Sequence, residues 1–136
     1  MAKELIDKSR ASKKWNISKM EILIVDDEMD ICYLLKGILR KKNLDSSIAN
    51  SLSDAQRMID RDPPNLLILD NRLPDGMGVD FIPYVKENHP GVKILMVSAF
   101  DSSVDKKLAF NKGADMFLGK PLNRDLINTA LAQLIW

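Results

Sequence analysis

The chain has 136 residues, of which 46% are apolar and 29% charged, with a formal net charge of +1; this is one soluble globular domain, long enough to bury a sizeable core. The charge is uneven: residues 1–20 carry six Lys/Arg against Glu4 and Asp7, for +4, and the remainder carries 14 against 17, for −3. A mildly acidic body offers no broad basic face to a nucleic-acid backbone, a single cysteine excludes a disulfide framework or a cysteine metal cluster, and no apolar run is long enough to span a bilayer.

The first stretch, MAKELIDKSRASKKWNISKM, shows no sustained period. It is expected to be a flexible basic extension over residues 1–20, with the folded domain over 21–136. It lacks the apolar core of a secretory signal, which points to a cytoplasmic protein. Regularity begins with ILIV (22–25), a short apolar run of the kind that forms a strand buried on both faces. Ile31, Leu34, Leu35, Ile38 and Leu39 then fall on one face of a helix, and Cys32 is read as core or near-core packing.

SSIAN (46–50) is a weaker strand, followed by a helix carrying Leu52, Ala55, Met58 and Ile59. LLIL (66–69) is the third strand. Val79, Ile82 and Val85 mark the third helix, with Pro83 expected in its first two turns, where proline disturbs a helix least. His89, in a Pro-Gly loop, has no partner near in sequence and reads as a surface residue. ILMV (94–97), a helix through Val104, Leu108 and Ala109, DMFL (115–118) and a strong helix from Leu122 through Leu126, Ile127, Ala130, Leu131 and Leu134 complete the chain. Five strands alternating with five helices predict an α/β domain, a doubly wound parallel sheet with helices on both faces.

In such sheets ligands sit outside the carboxyl ends of the strands. The first strand delivers Asp26 and Asp27 there, the third Asp70, the fourth Ser98, and the fifth leads to Lys120. Each has an ordinary reading: a helix N-cap for Asp26 or Asp27, an Asx-turn for Asp70, a turn for Ser98, solvation for Lys120. What singles them out is their coincidence at one edge. Three carboxylates together repel and are costly to desolvate unless a cation neutralises them, and hard oxygen ligands with room for water suit Mg²⁺.

VDDE, LLILDNRLPDGMG, MVSA and GADMFLGKP, in that order, resemble the receiver domain of bacterial two-component response regulators, from about residue 20 to the C-terminus. The resemblance implies a flavodoxin-like sheet of strand order 2-1-3-4-5. It implies that Asp70 accepts a phosphoryl group in a Mg²⁺-dependent reaction, with Asp27 as direct metal ligand, Asp26 as helper and the backbone carbonyl of Arg72 completing the protein ligands. Lys120 and Ser98 would contact the phosphoryl oxygens, Phe117 would be the aromatic switch residue, and the Lys120–Pro121 peptide would be cis. The implied partner is a sensor histidine kinase or histidine phosphotransfer protein, with neither nucleic acid nor membrane bound directly and the output partner unspecified. The chain is expected to be a stand-alone receiver or a piece of a longer regulator or hybrid histidine kinase.

Two other classes share parts of the pattern. Metal-dependent phosphohydrolases of the haloacid-dehalogenase type also use an Asp nucleophile with a Ser/Thr, a Lys and an acidic pair. Their second Asp, two residues after the nucleophile, is replaced here by Arg72, and Asp26-Asp27 precede rather than follow Asp70. A cofactor-binding flavodoxin-like module would need a phosphate loop, but GMGVDF lacks the third glycine of a dinucleotide fingerprint and GADMFLGKP has the wrong spacing for a P-loop.

Overall fold

The computed structural model of the chain describes residues 20–135; apart from Met20, the extension expected over residues 1–20 lies outside the described residues. The elements run β1 (Ile22–Val25), α1 (Met29–Arg40), β2 (Ser46–Ala49), α2 (Leu52–Arg61), β3 (Leu66–Asp70), a short antiparallel hairpin β4 (Arg72–Leu73) and β5 (Gly76–Met77), α3 (Gly78–Asn88), β6 (Lys93–Ser98), α4 (Ser103–Lys112), β7 (Met116–Gly119) and α5 (Arg124–Leu134). The main sheet is parallel, in the order β2-β1-β3-β6-β7. Counting only its own strands, this is the expected 2-1-3-4-5.

The unbroken apolar strands fill two cores by the alternation of side chains along a strand. Leu23 and Val25, Leu67 and Leu69, and Ile94 and Met96 face one side, against α2, α3 and α4. Ile22 and Ile24, Leu66 and Ile68, and Leu95 and Val97 face the other, against α1 and α5. Burial on both faces leaves the carboxyl ends of the strands as the place where polar side chains enter.

Helix starts follow local chemistry. Ser51 caps α2 by accepting from the Asp54 N–H, Asn123 caps α5 by accepting from Leu126, and Ser102 forms a reciprocal capping box with Asp105 on α4. The helices that follow the two acidic strand ends, α1 directly and α3 after the β4–β5 hairpin, have no side-chain cap at their own N-cap residues, Glu28 and Met77. Instead, the Asn71 side chain accepts from the Val79 N–H at 3.0 Å, from eight residues upstream. Gly78 must be glycine, because a Cβ there would collide with the Asp70 carbonyl oxygen. Pro83 falls in the second turn of α3, and the Lys120–Pro121 peptide is cis.

Four of the apolar residues that mark the helices are exposed. Leu34 is 40% exposed, because the buried stripe of α1 centres on Cys32, Leu35 and Leu39 and leaves Leu34 on its rim. Leu126 sits similarly on α5. Val104 and Leu108 are exposed on α4, where Ala109 is the one buried residue. His89 is not an unpartnered surface residue. Its Nε2 lies 2.9 Å from Asp60 Oδ1, whose carboxylate also accepts from the Tyr84 hydroxyl. A pair 29 residues apart has no signature in local sequence.

Candidate functional site

Among the described residues, the buried polar or charged side chains are Asp26, Asp70 and Ser98, at 2%, 5% and 2% exposure. They stand at the carboxyl ends of β1, β3 and β6. Burying a polar group is costly unless it is satisfied, so three at one edge of an otherwise apolar sheet mark a built site rather than a packing accident.

Lys120, just beyond β7, joins them from the fourth strand end. Its Nζ lies 3.3 Å from Asp26 Oδ2, 3.3 Å from Asp70 Oδ1 and 3.0 Å from Glu28 Oε1. The Glu28 N–H donates to Asp26 Oδ1 at 2.9 Å, and the Asn71 N–H to Asp70 Oδ1 at 2.9 Å. Carboxylate oxygens of Asp26, Asp27, Glu28 and Asp70 can all be chosen within 4.8 Å of one another. An open cavity of about 270 Å³ over Asp70 is bordered by Asp27, Glu28, Arg72, Phe100 and Lys120.

The ordinary readings fare unevenly. Neither aspartate of the pair occupies the N-cap of α1, which falls to Glu28. The Asp70 carboxylate accepts from the very next residue, not from two residues on as an Asx-turn requires. Ser98 does serve a turn, its Oγ accepting from the Phe100 N–H at 3.0 Å, which leaves the hydroxyl hydrogen for another acceptor. Lys120 is not solvated; its side chain is 12% exposed. Arg72 lines the cavity with its guanidinium carbon 4.2 Å from the centroid of the Phe100 ring. Phe117 is half-buried in β7 and packs on the core beneath α2, α3 and α4.

The electrostatics are strained in one direction. Burial, followed by the Asp26 charge, pushes the Asp70 carboxyl up to about 6 against the pull of Lys120. Asp26 is also raised, chiefly by burial. Burial works against the Lys120 charge, but Glu28, Asp70 and Asp26 together hold its ammonium well above the ordinary lysine value. Beneath the pair, burial pushes the Cys32 thiol up to about 11, so it remains a thiol and a donor.

Glu28 belongs to this cluster although sequence reasoning did not single it out. Its signal was present as the third consecutive carboxylate of VDDE; what the sequence does not carry is its contact with Lys120, 92 residues away. A buried carboxylate, an ammonium, a hydroxyl and an excess of hard oxygen ligands are together of a kind suited to phosphoryl chemistry beside a divalent cation.

Comparison with known proteins gives the same reading of the fold. The family described as the response regulator receiver domain matches residues 22–132. Response regulator protein PilR of Pseudomonas aeruginosa is 38% identical over 119 residues, which are 85% of this chain and 27% of that protein; the chain thus spans about a quarter of that relative's length. The crystal structure of a CheY-like response regulator receiver domain protein from Methanospirillum hungatei superposes with a TM-score of 0.78 at 31% identity, covering 85% of this chain and 93% of that one. The receiver domain of NtrX from Brucella abortus gives 0.78 at 28% identity, over 84% and 97%. With its sheet order, its charged strand ends and a family match over nearly all the described residues, this chain belongs to the response regulator receiver domain family.

Proposed function

We propose that this chain receives a phosphoryl group on Asp70 and passes the signal on by a change of conformation. The observation that carries the reading is the convergence of the buried Asp26, Asp70 and Ser98 with Lys120 at one sheet edge. A phosphohistidine of a sensor histidine kinase or histidine phosphotransfer protein is the donor, in the cytoplasm. No helix among the described residues is long and apolar enough to cross a membrane.

The donor set fits Mg²⁺: four carboxylates against one ammonium leave an excess of negative charge in hard oxygen ligands. Asp27 and Asp70 would hold the ion, with Asp26 in support and the Arg72 backbone carbonyl completing the set. Bound there, it would neutralise charge on the phosphoryl oxygens and lower the cost of keeping Asp26 and Asp70 ionised together.

The residues divide the work. An Asp70 oxygen attacks phosphorus as the P–N bond to the donor imidazole breaks. The bonding pair returns to that nitrogen, and the ring leaves neutral when its other nitrogen carries a proton. Lys120 is already within reach of Asp70 and needs only to exchange carboxylate oxygens for phosphoryl oxygens. Ser98 donates its hydroxyl hydrogen to one of these. Because Ser98 pairs in register with Gly119 and Met96 with Phe117, a pull on Ser98 acts on the strand that carries the aromatic switch residue.

The test is incubation with MgCl₂ and acetyl phosphate, followed by intact-mass measurement. Wild type should gain a single phosphoryl group, lost on hydroxylamine treatment, and Asp70→Asn should gain none. Undiminished labelling of Asp70→Asn overturns the assignment.

A further inference from the structure

The acidic pair leaves β1 under a restraint that none of the site's charged groups supplies. The Asp26 N–H donates to the Ala49 carbonyl at 3.1 Å, one step beyond the paired ends of β1 and β2. The Asp26 carbonyl accepts from the Asn50 side-chain amide at 2.9 Å and from the Cys32 thiol at 3.3 Å. Both polar groups of the Asp26 backbone are therefore held, one by the last residue of β2 and the other by the residue after it together with Cys32.

That restraint acts where the site is most in need of one. The peptide between Asp26 and Asp27 is planar, so fixing the Asp26 carbonyl fixes the direction in which Asp27 leaves the strand. Asp27 is exposed, and its placement rests on the backbone rather than on packing. Asp26 faces Asp70 in a repulsive arrangement, which the backbone must hold before any cation arrives. Asn50 is itself exposed, so burial of its side chain does not explain it, and its amide donates to no carboxylate of the cluster.

We infer that Asn50 is a positioning residue: by holding the Asp26 carbonyl it aims the Asp26-Asp27 pair at Asp70 and raises the affinity of the cluster for a divalent cation. This rests on the metal reading of the site given above. An amide is required because it is a donor; aspartate, equally at home in a turn, would set a carboxylate against the carbonyl oxygen. Groups that orient ligands from outside the coordination sphere are worth about 10–100-fold in metal affinity in other sites.

The experiment is calorimetric titration of the whole chain with MgCl₂, with thermal melting in EDTA alongside. Asn50→Ala should bind Mg²⁺ about tenfold more weakly than wild type, while its metal-free melting temperature stays close to that of wild type. Asn50→Asp keeps the shape but loses the donor, and it decides the matter should Asn50→Ala fail to fold. Electrostatics alone would make the added carboxylate tighten Mg²⁺ binding, whereas loss of the clamp weakens it. Affinity within about twofold of wild type in a folded Asn50→Ala, or tighter binding by Asn50→Asp, overturns the inference. Wild type that binds no Mg²⁺ removes the metal reading and this inference together, whereas normal wild-type binding with an unaltered variant removes this inference alone.

Discussion

All residues of β1 and β3 are buried, whereas all four residues of β7 are half-buried, and α4, the helix before it, buries only Ala109. On the other face, α1 buries Cys32, Leu35, Ile38 and Leu39. The middle of the sheet is thus held by apolar burial on both sides. The β7 edge leaves Val104, Leu108 and Phe110 of α4 exposed, on a helix that opens with a capping box. Local opening free energy follows buried apolar contact, so the β7 edge is cheaper to move than the middle of the sheet. The site straddles the boundary. Asp26, Asp27 and Asp70 stand on the well-packed strands, while Lys120 sits beyond β7, the thinly packed edge, and Ser98 at the end of β6 beside it. A charge change at Asp70 therefore pulls from a fixed base on movable parts.

The largest effect that could break this comparison is on stability. Ile68→Ala in β3 should cost about 2–5 kcal/mol, whereas Val104→Ala on α4 should stay within about 0.5 kcal/mol, both read by urea unfolding. Comparable losses at the two positions would remove the distinction between the middle and the edge.

Next in size is the electrostatic cost of the site. With metal removed by EDTA, Asp70→Asn should be more stable than wild type at pH 7, by on the order of 2 kcal/mol. In the folded protein the Asp70 carboxyl titrates at about 6, above its ordinary value of 3.8. The folded state therefore binds that proton more tightly than the unfolded chain does. Wild-type stability attributable to Asp70 is then full below about pH 4 and is lost as pH rises through about 6. The advantage of Asp70→Asn should close at the acid end of that window; an advantage equal at pH 7 and pH 4 would mean that Asp70 ionisation is not its cause.

A cap comparison sharpens the contrast between helices. Ser102→Ala removes the capping box of α4, and Ser51→Ala removes the cap of α2; each loses about 1 kcal/mol of local support. Amide exchange should quicken throughout α4 in the first variant. In the second it should quicken only in the first turn of α2, because Ala55 and Ile59 anchor the rest. Matching exchange patterns would show that α4 has support beyond its cap.

The smallest change concerns the rim. The Arg72 guanidinium over Phe100 contributes about 0.5–1 kcal/mol and stands beside the approach to Asp70. Arg72→Ala should shorten the lifetime of the aspartyl phosphate at fixed pH and Mg²⁺, by a few-fold on that scale. An equal or longer lifetime would show that the pair does not shield the phosphoryl group.

Much of this was legible in the chain alone. The runs ILIV, LLIL and ILMV are too short for helices and too apolar for half-exposed strands, which leaves buried parallel strands and hence a doubly wound sheet. Asp26, Asp70, Ser98 and Lys120 could be placed at one edge because strand ends in such a sheet all point the same way. Helix faces were less legible. Spacing marks an apolar stripe but not its centre, so the pattern does not show that Leu34 and Leu126 lie on its rim. The stripe of α4 gave no hint that only Ala109 would be covered.

By itself, then, the sequence determined the strand runs, the polar residues that end them and the cluster's excess of negative charge, because these depend on residue type and on positions a few apart. Tertiary structure alone decided that Lys120 reaches Glu28 as well as the aspartates, that His89 pairs with Asp60, and that Asn50 holds the Asp26 carbonyl. Those contacts join residues 24 to 94 apart. The energy of such contacts depends on where the packing of two cores brings side chains to within 3 Å or so, and no local pattern encodes that distance.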